Sequence, residues 1–353
     1  MAYTDIDKST NFFNSILYTG TGSSNALTGV GFKPDWVWIK CRNEATGHNL
    51  YDVVRGVTKY LGSNSQLMQG TSSNGLTAFG TDGFTVGSSN DDNKSSNTYV
   101  SWNWLGANGT ASNSDGSITT TVSANTTSGF SIIDFTGNES SSSIGHGLGV
   151  APSMFIMKRY TDDGYASTGE WYVYHKSLAS DKYLRLQSNA AVATNDGSLW
   201  NTSTPVTSSV INIGSNANSN HTGNKTIVYA FAQKKGYSKF GVYKGNGNAN
   251  GTFVHTGFRP AMIILKDSSS GSGYNWIILD NKRDPSNGLD KRLQPSTALA
   301  EYTDVSNFCN FNSNGFKWTG SQANWNASGV SYIYMAFAEN PFVTSTGIPV
   351  PAR

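Results

Sequence analysis

One phrase is written three times along this chain. Glycine, a bulky or branched residue, any residue, proline, one more residue, four mostly apolar residues and a lysine follow one another in order. They run from Gly31 to Lys40, from Gly149 to Lys158 and from Gly257 to Lys266. The closing lysines Lys40, Lys158 and Lys266 lie 118 and 108 residues apart. Such spacing is several times that of a solenoid repeat and matches a β-sandwich domain of roughly 100 residues. Proline fixes its own φ and pushes its predecessor toward the extended region, so each phrase starts a strand. The strand that follows (Trp36 to Ile39, Met154 to Met157, Met262 to Leu265) is apolar on both faces. A run covered on both sides belongs in the middle of a layered structure.

Other landmarks recur around the phrase in fixed order. Each unit opens on a strand that ends in an aromatic residue and a glycine turn: Ile16 to Gly20, Ile133 to Gly137, Gly241 to Gly245. A second aromatic strand follows the phrase (Asn49 to Asp52, Glu170 to Tyr174, Asn275 to Asp280), then Lys59-Tyr60-Leu61, Lys182-Tyr183-Leu184 or Lys291-Arg292-Leu293. Next comes a glycine-bounded strand (Gly83 to Gly87, Gly315 to Trp318), represented in the second unit by Val210 to Gly214. Each unit closes on an aromatic strand: Tyr99 to Trp104, Ile227 to Phe231, Tyr332 to Phe337. The strands are short, rich in β-branched and aromatic residues, and bounded by Gly, Asn, Asp and Ser. Only Ser296 to Tyr302 offers a helical turn or two. The expectation is an all-β chain of three tandem antiparallel β-sandwich modules, each with its own core.

The boundaries then fall as module one at 1–106, a Gly/Ser/Asn/Thr-rich linker at 107–128 with an extra strand at Ser117 to Ser123, and module two at 129–235. Module three spans 236–341, and 342–353 is an extended tail with prolines 349 and 351. Composition supports folded β structure over disorder. Charged residues are only 14 %, but 17 Phe, 17 Tyr and 9 Trp are far too many for a disordered chain. A net charge of +2 gives no footprint for nucleic acid or a membrane surface. Nothing approaches 18 consecutive apolar residues, and no apolar N-terminal segment follows a basic one, so neither membrane insertion nor a signal peptide is expected. Two cysteines, Cys41 and Cys309, are too few for a disulfide framework or a structural zinc site, and read as small buried hydrophobes.

Catalytic chemistry is hard to assemble from these residues. The histidines His48, His146, His175, His221 and His255 occupy no common position of the repeat, and read as structural. No nucleophile elbow or phosphate loop is present. Gly245-Asn246-Gly247 reads as a hairpin turn. The acidic pairs Asp91-Asp92 and Asp162-Asp163 lie in polar turns, where they cannot face each other across a glycosidase cleft. Calcium at Asp91-Asp92-Asn93 lacks an EF-hand-like spacing. No catalytic, metal or cofactor residue is therefore expected. Trp171 and Trp318 sit on recurring strands and read as core, whereas Trp200 and Trp325 stand among Ser and Asn and are the candidates for glycan contact by ring stacking, as the alternative to a structural role. The three lysines read as solvated strand ends, with fixed carboxylate pairing as the alternative.

The glycine-proline phrase, the segment Asp82 to Gly87 and the closing run Tyr332 to Phe342 together resemble a set of structural proteins of marine tailed bacteriophages, including cyanophages, that are described as uncharacterised or tail-fibre-like. The resemblance covers Met1 to Val343. It implies a non-enzymatic virion component assembled in the host cytoplasm, a tail-fibre or tail-associated part serving assembly and host attachment. Its partners would be other virion proteins and further copies in a homo-oligomer, a trimer by analogy with fibres. The alternatives are a capsid-decorating protein or a lectin-like module for host surface glycans, with a polysaccharide depolymerase a distant third.

Overall fold

The computed structural model describes residues 3–349 apart from 163, 165–167 and 272. Asp163 of the second acidic pair and the end of the tail, 350–353, lie outside the described residues. Nearly all regular structure is β, and every pairing between named strands is antiparallel.

Three large sheets carry the thrice-written phrase. The first contains β1 (Phe13–Thr19), β2 (Trp36–Cys41), β3 (His48–Asp52), β4 (Lys59–Gly62) and β5 (Thr98–Trp104), in spatial order β1-β5-β2-β3-β4. The second contains β6 (Ala111–Asn113), β7 (Thr120–Asn125), β8 (Phe130–Thr136), β9 (Met154–Arg159), β10 (Tyr172–His175), β11 (Lys182–Arg185) and β12 (Lys225–Phe231). Its order is β6-β7-β8-β12-β9-β10-β11. In the third, β13 (Ser238–Lys244), β14 (Phe258–Asp267), β15 (Ile277–Asp280) and β16 (Ser331–Pro341) are ordered β13-β16-β14-β15. Each sheet therefore places its closing strand between its opening strand and its phrase strand. The phrase strands β2, β9 and β14 are buried at every position. Gly31, Gly149 and Gly257, which begin the phrase, have φ of 91°, 70° and 86°. A Cβ strains that left-handed backbone, which explains why the phrase begins with glycine.

The alternation of side chains along the phrase strands decides the packing. Trp36 and Trp38, Met154 and Ile156, and Met262 and Ile264 all enter one common core. The intervening residues enter three separate outer cores: Val37 and Ile39 in one, Phe155 and Met157 in a second, Ile263 and Leu265 in a third. Each outer core is closed by a small sheet. Asn25–Leu27, Leu76–Gly80 and Gly83–Val86 serve the first, Ser142–Gly145 and Val210–Ile213 the second, and Phe253–His255, Cys309–Asn312 and Gly315–Trp318 the third.

The expectation of one core per module is thus corrected. Each large sheet has a core on its outer face, and the inner faces of all three share a fourth. Rings cross that shared core: Trp36 stacks on Tyr229 at 4.3 Å between centroids, Phe13 on Phe337 at 4.9 Å, and Phe231 meets Phe337 edge-on at 6.0 Å. A both-sided apolar strand reads identically whether its second face meets its own module or a neighbour, so sequence alone did not separate the two.

Two local expectations also change. The extra strand expected at Ser117 to Ser123 lies at Thr120–Asn125, and with β6 it extends the second sheet beyond β8. Ser296 to Tyr302 forms no helix; the residues from Ala298 to Glu301 have no regular structure, and Glu301 N–H donates to Arg42 carbonyl at 2.7 Å. Among the described residues the α-helices are instead α1 (Asn90–Asn93), α2 (Ala217–Asn220) and α3 (Ala323–Asn326), each a single turn before a closing strand, and a short 3-10 helix spans Ser9–Asn11.

Candidate functional site

The chemistry of the chain is concentrated along the three seams where the large sheets meet. At equivalent places on β3 and just before β10 and β15, a ring N–H crosses to a backbone carbonyl of the neighbouring sheet. Trp171 Nε1 donates to Gly62 at 2.8 Å, Trp276 Nε1 to Arg185 at 2.8 Å, and His48 Nε2 contacts Gln294 at 3.1 Å. Each acceptor directly follows the leucine of the recurring Lys-x-Leu triplet. A ring fills the seam while the nitrogen it turns across the seam finds a partner.

A second set of contacts, made from the other ends of these strands, crosses the same three seams. Asp52 at the end of β3 accepts from Tyr229 Oη of the second sheet at 2.7 Å. Asp280 at the end of β15 accepts from Trp102 Nε1 of the first sheet at 3.1 Å. His175 at the end of β10 contacts the Tyr334 carbonyl of the third sheet at 3.2 Å. The aspartates are paired within their own sheets: Arg55 Nε meets Asp52 at 2.6 Å and Arg283 Nε meets Asp280 at 2.6 Å, all four side chains fully buried. Burial alone weakens a guanidinium's charge, but the neighbouring carboxylates outweigh it and raise the pKa of both arginines. Arg283 also reaches Glu301 at 3.0 Å, and Glu301 meets Arg42 of the first sheet at 2.8 Å.

The strand-end lysines are neither solvated nor paired with carboxylates. Lys40, Lys158 and Lys266 are all 0 % exposed. By alternation each is the next inward residue after the two that enter the shared core, so its ammonium is carried into the seam. Lys158 Nζ donates to the carbonyls of Gly169, Gln66 (3.2 Å) and Ser65 (3.4 Å), the latter two on the first sheet's loop. Lys266 Nζ donates to Tyr274 and, across its seam, to Asn189 at 3.0 Å. Lys40 Nζ caps Cys41 at 2.7 Å and Glu44 at 3.3 Å within its own sheet. Burial pushes Lys158 down to about 7, and Lys40 and Lys266 to about 8. An alternating pattern written for sequence alone put the lysine past the strand, whereas it is the strand's last inward position.

A third recurring device went unseen in the sequence. Asn93, Asn220 and Asn326 end the three helical turns and are fully buried. The Nδ2 of each donates to the glycine six residues before it: Gly87 at 2.7 Å, Gly214 at 2.7 Å, Gly320 at 2.8 Å. The Oδ1 of each accepts from the first turn of its unit, at Thr21, Asn138 and Asn246 N–H (2.9, 3.0 and 3.1 Å). One amide thereby ties the opening turn to the closing strand. The pattern Gly-x5-Asn was present in the sequence, hidden among many other glycines and asparagines.

The proposed sugar platforms are corrected. Trp200 is 0 % and Trp325 1 % exposed. Trp200 meets Phe155 and Tyr174 edge-on and donates Nε1 to Ser180 at 3.0 Å. Trp325 stacks on Trp318 at 5.4 Å with Arg292 over its ring at 4.4 Å. Neither offers a free face to a sugar; their polar sequence neighbours are turn residues around a buried ring. Trp171 and Trp318 are core, as read.

His48, His146 and His175 are buried and hydrogen-bonded. At each one Nδ1 accepts, from Trp38 Nε1, Leu148 N–H and Ser177 N–H respectively, which leaves the proton on Nε2. Burial lowers all three pKa values, His175 to about 4. In the Asp91-Asp92-Asn93 turn, Asp92 is buried and accepts from Asn49 at 2.8 Å and Tyr51 Oη at 2.7 Å; burial raises its pKa to about 6. Among the described residues no group of three or more His, Cys, Asp or Glu is arranged to hold a metal ion. Both cysteines are buried.

One open cavity is lined by hydroxyl and amide groups. About 460 Å³ in volume, it lies on the outer side of the second sheet among Ser117, Ser142, Ser143, Asn201, Thr202 and Asn212.

With this geometry in place, the chain is found to match the model of one family, "Domain of unknown function (DUF7483)", over residues 8–341, and it belongs to that family. No curated protein matches it.

Proposed function

We propose that this chain is a non-enzymatic structural component of a bacteriophage virion, a tail-fibre or tail-associated part used in assembly and host attachment. The observation that carries this reading is the closed ring of seams. Buried polar side chains are spent on holding three sheets in one fixed arrangement, which is what a load-transmitting appendage needs. The three sheets are read as copies of one module of roughly 100 residues, because strand order, asparagine tie and seam contacts recur in each. The partners are other virion proteins and further copies of the chain, in a trimer by analogy with other fibres. Such copies meet through surfaces outside the shared core, which one chain already fills. Mass spectrometry of purified particles tests the reading: absence of this chain from them ends it, and light scattering at three times the mass of one chain supports the trimer.

A second reading is favoured by the cavity among Ser117, Asn201 and Asn212. Its uncharged donors and acceptors suit a neutral polyhydroxylated ligand, so glycan recognition moves there from Trp200 and Trp325. Binding on a glycan array that disappears in Asn201→Ala with Thr202→Ala supports it, and an array at background overturns it.

A further inference from the structure

The three large sheets are equivalent in strand order but not in what lies beyond their opening strands. In the second sheet the outer edge of β8 is occupied by β7, which pairs antiparallel from Thr121↔Asp134 to Asn125↔Phe130. The corresponding edges of β1 and β13 end their sheets, with no strand beyond them among the described residues. Register makes the comparison residue by residue. Leu17, Asp134 and Val242 pair with Val100, Ile227 and Ile333, which are also the partners of Lys40, Lys158 and Lys266. Under its covering strand Asp134 is 8 % exposed, whereas Leu17 is 41 % and Val242 47 % exposed.

The two open edges differ in their protection. An open edge invites another strand unless charge or proline blunts it. β13 carries Lys239 and Lys244, while β1 (Phe-Asn-Ser-Ile-Leu-Tyr-Thr) has neither charge nor proline. The strand that covers β8, Thr-Thr-Val-Ser-Ala-Asn, is itself uncharged.

We propose that β1 is a docking edge for an extended, uncharged, Ser/Thr-rich segment of a partner protein, added antiparallel along Phe13 to Leu17 as β7 is added along Phe130 to Asp134. The chain supplies the template for its own occupant. Main-chain hydrogen bonds would give the affinity, and Leu17 would be covered.

The probe is a fluorescent peptide of residues 118–126 titrated onto the full chain and followed by anisotropy. Saturable binding of one peptide per chain is expected, weakened about tenfold or more by Leu17→Lys and unchanged by Val242→Lys. A peptide N-methylated at every backbone amide has no N–H to offer from either edge, so its loss of binding to the unaltered chain gives the same answer even if Leu17→Lys fails to fold. Absence of saturable binding overturns the proposal, as does binding that survives both Leu17→Lys and N-methylation. Self-association of the chain abolished by Leu17→Lys also overturns it, because the occupant would then be β1 of a second copy.

Discussion

Two of the three seams contain a buried aspartate–arginine pair, and among the described residues the third contains none. Where the first sheet faces the second, Tyr229 reaches Asp52, held by Arg55; where the third faces the first, Trp102 reaches Asp280, held by Arg283. Where the second faces the third, those places are taken by Met335, His175 and Leu178. All three positions differ together. A methionine offers no proton, so an aspartate opposite it would be a buried charge without its cross-seam partner. Without the aspartate an arginine three residues on would be unpaired as well. Histidine resolves the problem by turning its Nε2–H to the Tyr334 carbonyl. The three positions thus vary as a set: a ring that donates a proton accompanies the aspartate–arginine pair, and methionine accompanies histidine and leucine.

The largest expected effect comes from breaking a charged seam halfway. Arg283→Ala should cost about 3–5 kcal/mol of unfolding free energy, because Asp280 is left buried without its cation. Urea denaturation measures it; a loss below about 1 kcal/mol would mean that water entry or protonation of Asp280 compensates. Transplanting the methionine–histidine–leucine set sharpens the comparison. Tyr229→Met, Asp52→His and Arg55→Leu together should be far milder than Asp52→His alone, since replacing a buried ion pair as a set is often near neutral. If the triple variant is as unstable as the sum of its single changes, the seams are not interchangeable units. His175→Ala, in the seam without the aspartate–arginine pair, should cost less, about 1–3 kcal/mol, the penalty of leaving the Tyr334 carbonyl and the Ser177 N–H unmet.

How much of this was legible follows from what each residue shows to a reader of sequence. The repeat and its successive strands were recoverable because Gly31, Pro34 and Lys40 and their copies combine backbone constraints with fixed spacing. The shared core was not, since Trp36 and Val37 are equally apolar and the period of two says only that they point opposite ways. The buried lysines defeat composition-based reading, because lysine is buried this completely only when carbonyls converge on it, and carbonyls have no letter in the sequence. The seam triad was readable in part: Asp52 and Arg55 have the same spacing as Asp280 and Arg283. Its meaning needed the partner across the seam. Trp200 and Trp325 were misplaced because a polar neighbourhood of Asn and Ser describes the turn, not the direction of the ring.

The smallest and most specific prediction concerns pH, and it separates the lysines from the ion pairs. Lys158 has a folded pKa near 7 against an ordinary value near 10.5, with burial as the cause. For a base whose folded pKa is lowered, the native state sheds its proton first. At pH values between the two, the unfolded state binds more protons, so stability rises with pH. The same holds from about 8 for Lys266. Unfolding free energy should therefore climb from pH 7 toward pH 10, until tyrosines begin to ionise in the unfolded chain and reverse the trend. Lys158→Met should flatten the climb while lowering stability modestly, because the Ser65, Gln66 and Gly169 carbonyls lose their donor. Those two effects oppose each other at pH 7, where the ammonium's desolvation is relieved as its hydrogen bonds vanish. An unchanged slope in Lys158→Met would show that three converging carbonyls keep this lysine charged throughout, and that burial is the weaker of the two influences on it.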